Sequence, residues 1–355
     1  MSVSAITVNY FSEEYLPTLE TSLKRQNDIS EIIAVDNGSA SHLSGFLTES
    51  QIIVAEENSG FANAVNRAIA STKNQWVLLV NPDVRLADGC LSSLLKAAIE
   101  NDTPLVGPRF FLDDACQFRL PPALGECAWL SCAQSLASQS SLDQTQLSFY
   151  WEIRHDRFWN AKSPFFEPFL SGSCLLIDKQ RLCQEGKLFD ERFFLYYEDT
   201  DLAIQAQQLG YRPLCVPDAT AVHYFDQSPD PSISKVQLMQ QAREQFNNKY
   251  YQKIVDCTQA FSAMQSHWVQ PTEIDLGTIN TAPTLERTPG KTDAQNSYLE
   301  ISLIPWFVPF AQTHFVSETL TIPDLVWQRL RPGHYFARHR SDTYGVLKRW
   351  HWNKA

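Results

Sequence analysis

The stretch Trp76-Val77-Leu78-Leu79-Val80-Asn81-Pro82-Asp83 decides the fold. Five apolar residues without polar alternation predict a strand covered on both faces, as at the centre of a parallel sheet. Asn-Pro-Asp is turn chemistry, so the strand stops abruptly and leaves a carboxylate at its carboxyl end. Open α/β sheets gather their ligands along that edge. Fold and candidate site are therefore read from the same eight residues.

Toward the N-terminus the pattern alternates. Val3 to Val8 is a β-branched run, and Glu13 to Arg25 has helical spacing with Leu16, Leu19 and Leu23 on one face. Glu31 to Val35 is a second strand, closed by Asp36-Asn37-Gly38-Ser39, and Gln51 to Ala55 a third. Phe61 to Ser71 reads as a helix. Strands alternating with helices predict right-handed βαβ units in an open, mostly parallel sheet.

Toward the C-terminus, Phe110 to Phe166 is irregular, aromatic and rich in Ser and Gln. Cys174 to Ile177 resumes as a strand. A helix is expected from Thr200 to Leu209, ended by Gly210, then a short strand from Arg212 to Val216 and a polar helix from Val236 to Tyr251. Pro271 to Asn296 has little periodicity and much Thr, Pro, Gly and Asn. Short β-rich runs follow at Tyr298–Ile304, Phe315–Ile322, Trp327–Leu330, Gly333–Arg340 and Val346–Trp352. The expected division is a catalytic domain over 1–255, a linker over 256–296 and a small all-β unit over 297–355.

Composition narrows the function. With 355 residues, 44% hydrophobic and 12% aromatic, the chain has material for one large core or two domains and is not a disordered one. A net charge of −11 argues against a nucleic-acid partner. No apolar run approaches the ~18 residues of a membrane span, and Met1-Ser-Val-Ser-Ala-Ile-Thr-Val8 is not read as a signal peptide. The eight cysteines form no C-x-x-C pair; the expectation is buried, reduced thiols in a cytoplasmic protein.

Five constellations can carry chemistry. Asp83 suits a divalent cation that takes further oxygens from a diphosphate, Mg²⁺ or Mn²⁺; an ordinary turn is the competing use. Asp36 can accept from a base N–H or a ribose hydroxyl, or close an Asx turn. In Asn58-Ser-Gly60-Phe-Ala-Asn63-Ala-Val-Asn66, Gly60 leads a loop into a helix that carries two asparagines on one face. In Tyr197-Glu198-Asp199-Thr200-Asp201, three acids crowd a helix start. Capping uses one or two of them, and a further carboxylate in aromatic surroundings makes a general base. His223, after a strand and an expected loop, is either a core histidine or a second ligand beside Asp83.

Taken in order, these segments resemble the family 2 glycosyltransferases, in the branch of rhamnosyl- and galactofuranosyl-transferases. The resemblance spans about residues 3–250. It runs from Thr7-Val-Asn9-Tyr and Val35-Asp-Asn-Gly-Ser39 through Asn58–Asn66, Asn81-Pro-Asp83 and Ser171-Gly-Ser173 to Phe194–Leu202 and His223. It implies the GT-A fold, a nucleotide-binding α/β sheet. It also implies that Val8 and Asn9 line the base pocket, that Asp36 contacts base or ribose, and that Asn58, Gly60 and Asn63 wall the nucleotide sugar. Asp83 becomes the acid of the D-x-D element, with Asn81 at its first position, and His223 the second metal ligand. Asp199 becomes the base, with Glu198 and Asp201 shaping the acceptor site. The implied reaction is inverting transfer from a UDP- or dTDP-linked sugar to a glycan or lipid-linked acceptor, in surface polysaccharide synthesis. A sugar-phosphate nucleotidylyltransferase would want a Gly-rich basic loop near the N-terminus, where Asn9-Tyr-Phe-Ser-Glu-Glu14 offers acids. A silent carbohydrate-binding protein is the other alternative.

Trp327-Gln-Arg-Leu330-Arg-Pro332-Gly333-His-Tyr335 is similar to the E–F corner of a fibronectin type III sandwich. From Arg329 to Lys354 there are seven Lys or Arg and one acid, Asp342. This stripe faces either an anionic membrane surface or lipid-diphosphate acceptor, or plain solvent.

Overall fold

The computed structural model describes residues 1–38, 43–48, 50–127, 130, 133–134, 141–224, 235–251, 273–288, 297–305, 307, 309–341 and 345–355. Ser39, Trp129 and much of the expected linker lie outside the described residues. The chain divides into two compact units, Met1–Arg109 with Asn160–Val255, and Phe110–Trp159 with Asp256–Ala355.

In the first unit, β1 (Val3–Asn9) is buried at every position and pairs in parallel with β2 (Ile29–Asn37). Between them α1 (Leu16–Lys24) carries Pro17 in its first turn, where a missing N–H costs nothing, and buries Leu16, Leu19 and Leu23. β3 (Gln51–Ala55) adds in parallel beyond β2. α2 (Phe61–Ser71) buries Ala62, Ala64, Val65 and Ala68, small enough to let it lie close to the sheet. β4 (Trp76–Val80) is buried throughout and pairs in parallel with β1. β5 (Val84–Leu86), α3 (Cys90–Glu100) and β6 (Leu105–Phe111) follow.

The next helix, α4 (Ser141–Asn160), lies in a stretch expected to be irregular and belongs almost wholly to the second unit. The first unit resumes with β7 (Phe165–Phe166), β8 (Cys174–Asp178), α5 (Glu198–Gln208), β9 (Leu214–His223) and α6 (Lys235–Tyr250). Its strands form one sheet in the order β3-β2-β1-β4-β8-β6-β9-β5, with β7 on β9. Pairing is parallel from β3 to β4 and antiparallel where β8 meets β4 and β6, and where β9 meets β5 and β7. β9 runs on to His223, through residues expected to form a loop, because β5 pairs with its last three positions. Gly210 follows α5 with φ +88, the left-handed end expected of it.

The second unit holds β10 (Glu273–Ile279), β11 (Thr284–Glu286), β12 (Ser297–Ser302), β13 (Ala311–His314), β14 (Thr319–Thr321), α7 (Asp324–Arg329), β15 (Gly333–Ser341) and β16 (Gly345–Lys354). Five strands pair in the order β10-β16-β15-β12-β13, and β11 pairs with β14. Two sequence expectations are corrected here. β10 and β11 fall inside the stretch expected as linker, and β10 is a full partner of β16. Trp327 to Leu330, expected as a strand, lies in α7 and its C-cap, which start behind Pro323 and turn Val326 and Trp327 inward. The core gathers Leu285, Leu299, Ile322, Trp327, Tyr335, Trp350 and Trp352. Tyr335 Oη donates to the Arg331 carbonyl at 2.8 Å, which is the bond of a tyrosine corner.

The basic stripe is spent internally. Arg338 and Arg340 are buried, and both bind the carboxylate of Glu300. Arg349 pairs with Glu273, Lys348 with Glu286, and Lys354 donates to the Trp327 and Leu330 carbonyls. No helix among the described residues is long and apolar enough to cross a membrane. The six described cysteines are free, with Cys90, Cys174 and Cys215 buried.

Candidate active site

The carboxyl ends of the central strands carry the site. The turn after β4 is fastened on three sides. Asn81 N–H donates to the Ser173 carbonyl at 2.9 Å, Val84 N–H to the Asn81 carbonyl at 3.2 Å, and Tyr224 N–H to the Asp83 carbonyl at 3.0 Å. Because Val84 lies opposite His223 in the β5–β9 pairing, the side chains of Asp83 and His223 become neighbours although 140 positions separate them. His223 Nε2 stands 3.5 Å from Asp83 Oδ2, and both side chains are largely buried.

Two ligands on adjacent vertices of an octahedron at ~2.1 Å stand about 3 Å apart. The pair therefore fits a divalent cation with little movement. One oxygen and one nitrogen also suit Mn²⁺ or Mg²⁺ that completes its shell with diphosphate oxygens and water. Among the described residues no cluster of three His, Cys, Asp or Glu could hold a metal ion, so a cation here takes most of its ligands from elsewhere.

Next to this turn stands the first turn of α5. Asp199 Oδ2 accepts from Gly172 N–H at 2.9 Å, and Oδ1 accepts from Thr200 N–H at 2.7 Å. Space at Gly172 is tight: a Cβ there would lie 3.1 Å from the Asp199 Cβ and press on that side chain. Residues 172 and 173 thus hold Asp199 on one side and Asn81 on the other. Ser171 Oγ and Ser173 Oγ, 3.0 Å apart, brace that bend.

The three acids of α5 have different surroundings. Asp201 is fully buried and saturated: Oδ1 receives Lys249 Nζ at 2.5 Å and Tyr250 Oη at 2.6 Å, and Oδ2 receives Gln205 Nε2 at 2.5 Å. Glu198 is buried, and its Oε2 has no hydrogen-bond partner among the described residues. Burial, with the neighbouring Asp199 charge, pushes its carboxyl up to about 8, so it is a neutral acid at pH 7. Asp199 alone of the three keeps partial exposure. Burial raises its proton affinity above that of an ordinary aspartate, although the Gly172 and Thr200 N–H groups oppose the shift. A partly accessible carboxylate with raised basicity is the form a general base takes.

On the far side of the strand ends, the β1–β2 register sets Val8 beside Val35 and Asn9 beside Asp36. Asn9 is fully buried and spends its amide locally, donating to Glu13 Oε1 at 3.0 Å and accepting from Ser12 N–H at 3.2 Å. Asn58 Oδ1 accepts from Asn37 Nδ2 at 2.9 Å and from Gly60 N–H at 3.0 Å, tying the β2 end to the loop before α2. Asn63 donates to the Ser59 carbonyl at 3.0 Å. Gly60 has φ +86, and a Cβ on it would sit 2.6 Å from the Phe194 carbonyl oxygen, which accepts from Phe61 N–H at 2.7 Å. This junction presses the start of α2 onto the aromatic segment that leads into α5.

Asn66 was singled out in the sequence beside Asn63, whereas Lys249 and Tyr250 were missed. Asn66 receives Leu188 N–H and Phe189 N–H, both at 3.0 Å, and donates to the Phe189 carbonyl at 2.9 Å, so it clamps a loop. Lys249 and Tyr250 sit in a helix whose polar sequence reads as solvated. Trp151 and Trp159, in the aromatic stretch read as irregular, are buried within the second unit.

Comparison with known proteins agrees with this layout. Residues 4–176 match the family described as Glycosyl transferase family 2. Over 237 residues the chain is 27% identical to the N-acetylglucosaminyl-diphospho-decaprenol L-rhamnosyltransferase of Mycobacterium tuberculosis, in strains CDC 1551 / Oshkosh and ATCC 25618 / H37Rv. That match covers 60% of this chain and 71% of the relative. Among solved structures, GalNAc-T7 with UDP, GalNAc and Mn²⁺ superposes with a TM-score of 0.51 at 13% identity, over 74% of this chain and 51% of that one. This chain thus spans about half the length of that structure, and the likeness is one of fold.

Proposed function

We propose that this chain, whose residues 4–176 match the glycosyl transferase family 2 model on a GT-A fold, moves a sugar from a nucleoside-diphosphate donor to a hydroxyl of a glycan or lipid-linked acceptor, with Asp199 as the base. The observation that carries this reading is the fastening of Asp199 and the Asp83 turn to adjacent residues, Asp199 to Gly172 and Asn81 to Ser173. A proton acceptor is thereby held beside the place where a diphosphate would leave.

Asp199 takes the proton of the acceptor hydroxyl as its oxygen attacks the anomeric carbon. One base and no second nucleophile imply direct displacement, hence inversion. Glu198, neutral at pH 7, adds no second charge beside Asp199. Asp83 and His223 would hold a divalent cation, Mg²⁺ or Mn²⁺, whose charge supports the departing diphosphate. Asn9, Asp36, Asn58 and Gly60 shape the strand ends where the nucleotide of a UDP- or dTDP-linked donor would lie. The named acceptor of the mycobacterial relative is a lipid diphosphate and its named sugar is L-rhamnose, which favours rhamnosyl transfer within surface polysaccharide synthesis and work at the cytoplasmic side of a membrane. The basic C-terminal residues are engaged in internal pairs, so any membrane contact rests on the acceptor lipid instead.

The test is Asp199→Asn assayed on a panel of UDP-, dTDP- and GDP-sugars with and without Mn²⁺. Turnover should vanish while the thermal shift given by the nucleoside diphosphate persists. Wild-type-like turnover by the variant refutes the assignment.

A further inference from the structure

α6 is a weakly buried helix with one strong end. Of its sixteen residues only Ala242 and Phe246 are buried, four apart on one face. Its last turn carries contacts to the entry of α5. Phe246 packs against Tyr197, ring centroids 5.2 Å apart, and against Phe193 at 6.4 Å. Lys249 Nζ lies 2.5 Å from Asp201 Oδ1 and 2.9 Å from Asp190 Oδ2. Tyr250 Oη donates to the same Asp201 oxygen at 2.6 Å. Asp190 is held in addition by Arg192, and together Arg192 and Lys249 keep its carboxyl well below the usual range.

The segment gripped in this way is one that could not hold its shape alone. Tyr196 and Tyr197 have φ +73 and +69, two successive bulky residues in the left-handed region, which costs energy at each position. Tyr197 is the N-cap of α5 and makes no side-chain cap. Its carbonyl accepts from Asp201 N–H at 2.8 Å, so the backbone bend and the Asp201 position are one unit. Asp199 lies between them.

We propose that Lys249 and Tyr250 are positioning residues for the base: by filling Asp201 they lock the strained entry to α5 and hold the Asp199 carboxylate against Gly172. This rests on Asp199 being the base. The charge pattern gives it a second consequence. Around this turn stand Asp190, Arg192, Glu198, Asp201, Lys249 and Tyr250. With Lys249 in place Asp201 is compensated, and Asp199 is the accessible anion. Removing the ammonium leaves a second negative charge two residues away, which raises the proton affinity of Asp199.

The experiment uses the full chain and whichever of the UDP-, dTDP- or GDP-sugars the wild type turns over with Mn²⁺. Lys249→Met should lower kcat by ~100-fold with KM for the nucleotide sugar nearly unchanged, and move the acid limb of the kcat profile upward by about one pH unit. Lys249→Arg keeps the charge, so it should leave the limb in place and recover most of kcat. Tyr250→Phe removes one hydrogen bond to a charged group and should cost ~10-fold in kcat, with a normal melting curve. Should Lys249→Met fail to fold, the other two variants decide. Wild-type kcat and an unmoved acid limb in Tyr250→Phe overturn the proposal, as does a parallel loss of nucleoside-diphosphate binding in all folded variants. Asp199→Asn separates the two readings. If it turns over normally, the base assignment falls; if it is dead while the Lys249 and Tyr250 variants are normal, only the clamp falls.

Discussion

Two buried carboxyl clusters, one in each unit, are built to opposite rules. In the second unit Glu300 is fully buried, yet it accepts from Arg338 Nε at 2.5 Å, Arg340 Nε at 2.8 Å and Gln312 Nε2 at 3.2 Å. Arg338 in turn donates to Ser148 at 2.6 Å and Arg340 to Asp156 at 3.1 Å, which ties α4 to the sheet. Burial alone would raise the carboxyl of Glu300, but the two guanidinium groups hold it below the ordinary range. In the first unit Glu198 has an oxygen with no partner among the described residues, and Asp199 is raised. A carboxylate matched by donors on both oxygens specifies a structure. One with an unmatched oxygen keeps capacity for a proton or a substrate, and that difference between Glu300 and Glu198 is one mark of the site.

The sharpest way to break this contrast is to compare two adjacent acids. Asp199→Asn removes the base and should cut turnover by ~10³-fold or more. Glu198→Gln replaces a neutral acid by a neutral amide of the same shape and should stay within a few-fold of wild type. Steady-state rates on the accepted nucleotide sugar decide it. Equal losses in both variants would mean that Glu198 works as an anion, contrary to its surroundings.

In the saturated cluster the expected effect is on stability. Glu300→Ala leaves two buried guanidinium groups without their shared partner, a change that costs about 3–5 kcal/mol. Eight of the nine tryptophans lie in the two segments of the second unit, so fluorescence-detected unfolding reads this unit almost alone. A midpoint unchanged in urea would show the network to be ornamental. Within the first unit, Asn66→Ala strips the acceptor from two buried N–H groups at Leu188 and Phe189. About 1–3 kcal/mol should be lost, visible as a lower melting temperature with the nucleotide-induced shift retained.

How much of this was legible follows from which forces were local. β4 and its turn could be read because burial on both faces leaves a run of apolar residues, and the three strands before it, β1 to β3, were read from similar apolar runs. α4 was missed although Leu147, Trp151, His155 and Phe158 are buried at helical spacing; Phe149, Tyr150 and Ile153, apolar yet exposed, mask the period. The Asp83–His223 pairing was a wager that only the antiparallel return of β9 could settle. Lys249 was invisible. Its partners, Asp190 and Asp201, lie 59 and 48 residues away, and a lysine on a polar helix gives no sign of an ion pair that forms through tertiary packing. The family resemblance groups Asp201 with Asp199 at the acceptor site, whereas its carboxylate is buried and bound by Lys249 and Tyr250 of α6.

The pH dependence separates the two clusters most cleanly, because its two limbs have opposite signs. Glu198 has its folded-state carboxyl raised from 4.5 to about 8. The native chain therefore keeps a proton that the unfolded chain has lost, and stability falls as pH rises between those values. The slope is at most one proton, about 1.4 kcal/mol per pH unit. Glu300 is lowered, so the native chain lacks a proton that the unfolded chain binds, and stability falls as pH drops below about 4.5. Melting curves from about pH 2 to pH 9 should show both limbs in the wild type. Glu198→Gln should flatten the alkaline limb and leave the acid limb, whereas Glu300→Gln, where it folds, should remove part of the acid limb only. An alkaline limb unchanged in Glu198→Gln would place the retained proton elsewhere, and the first unit's cluster would lose its distinction from the second.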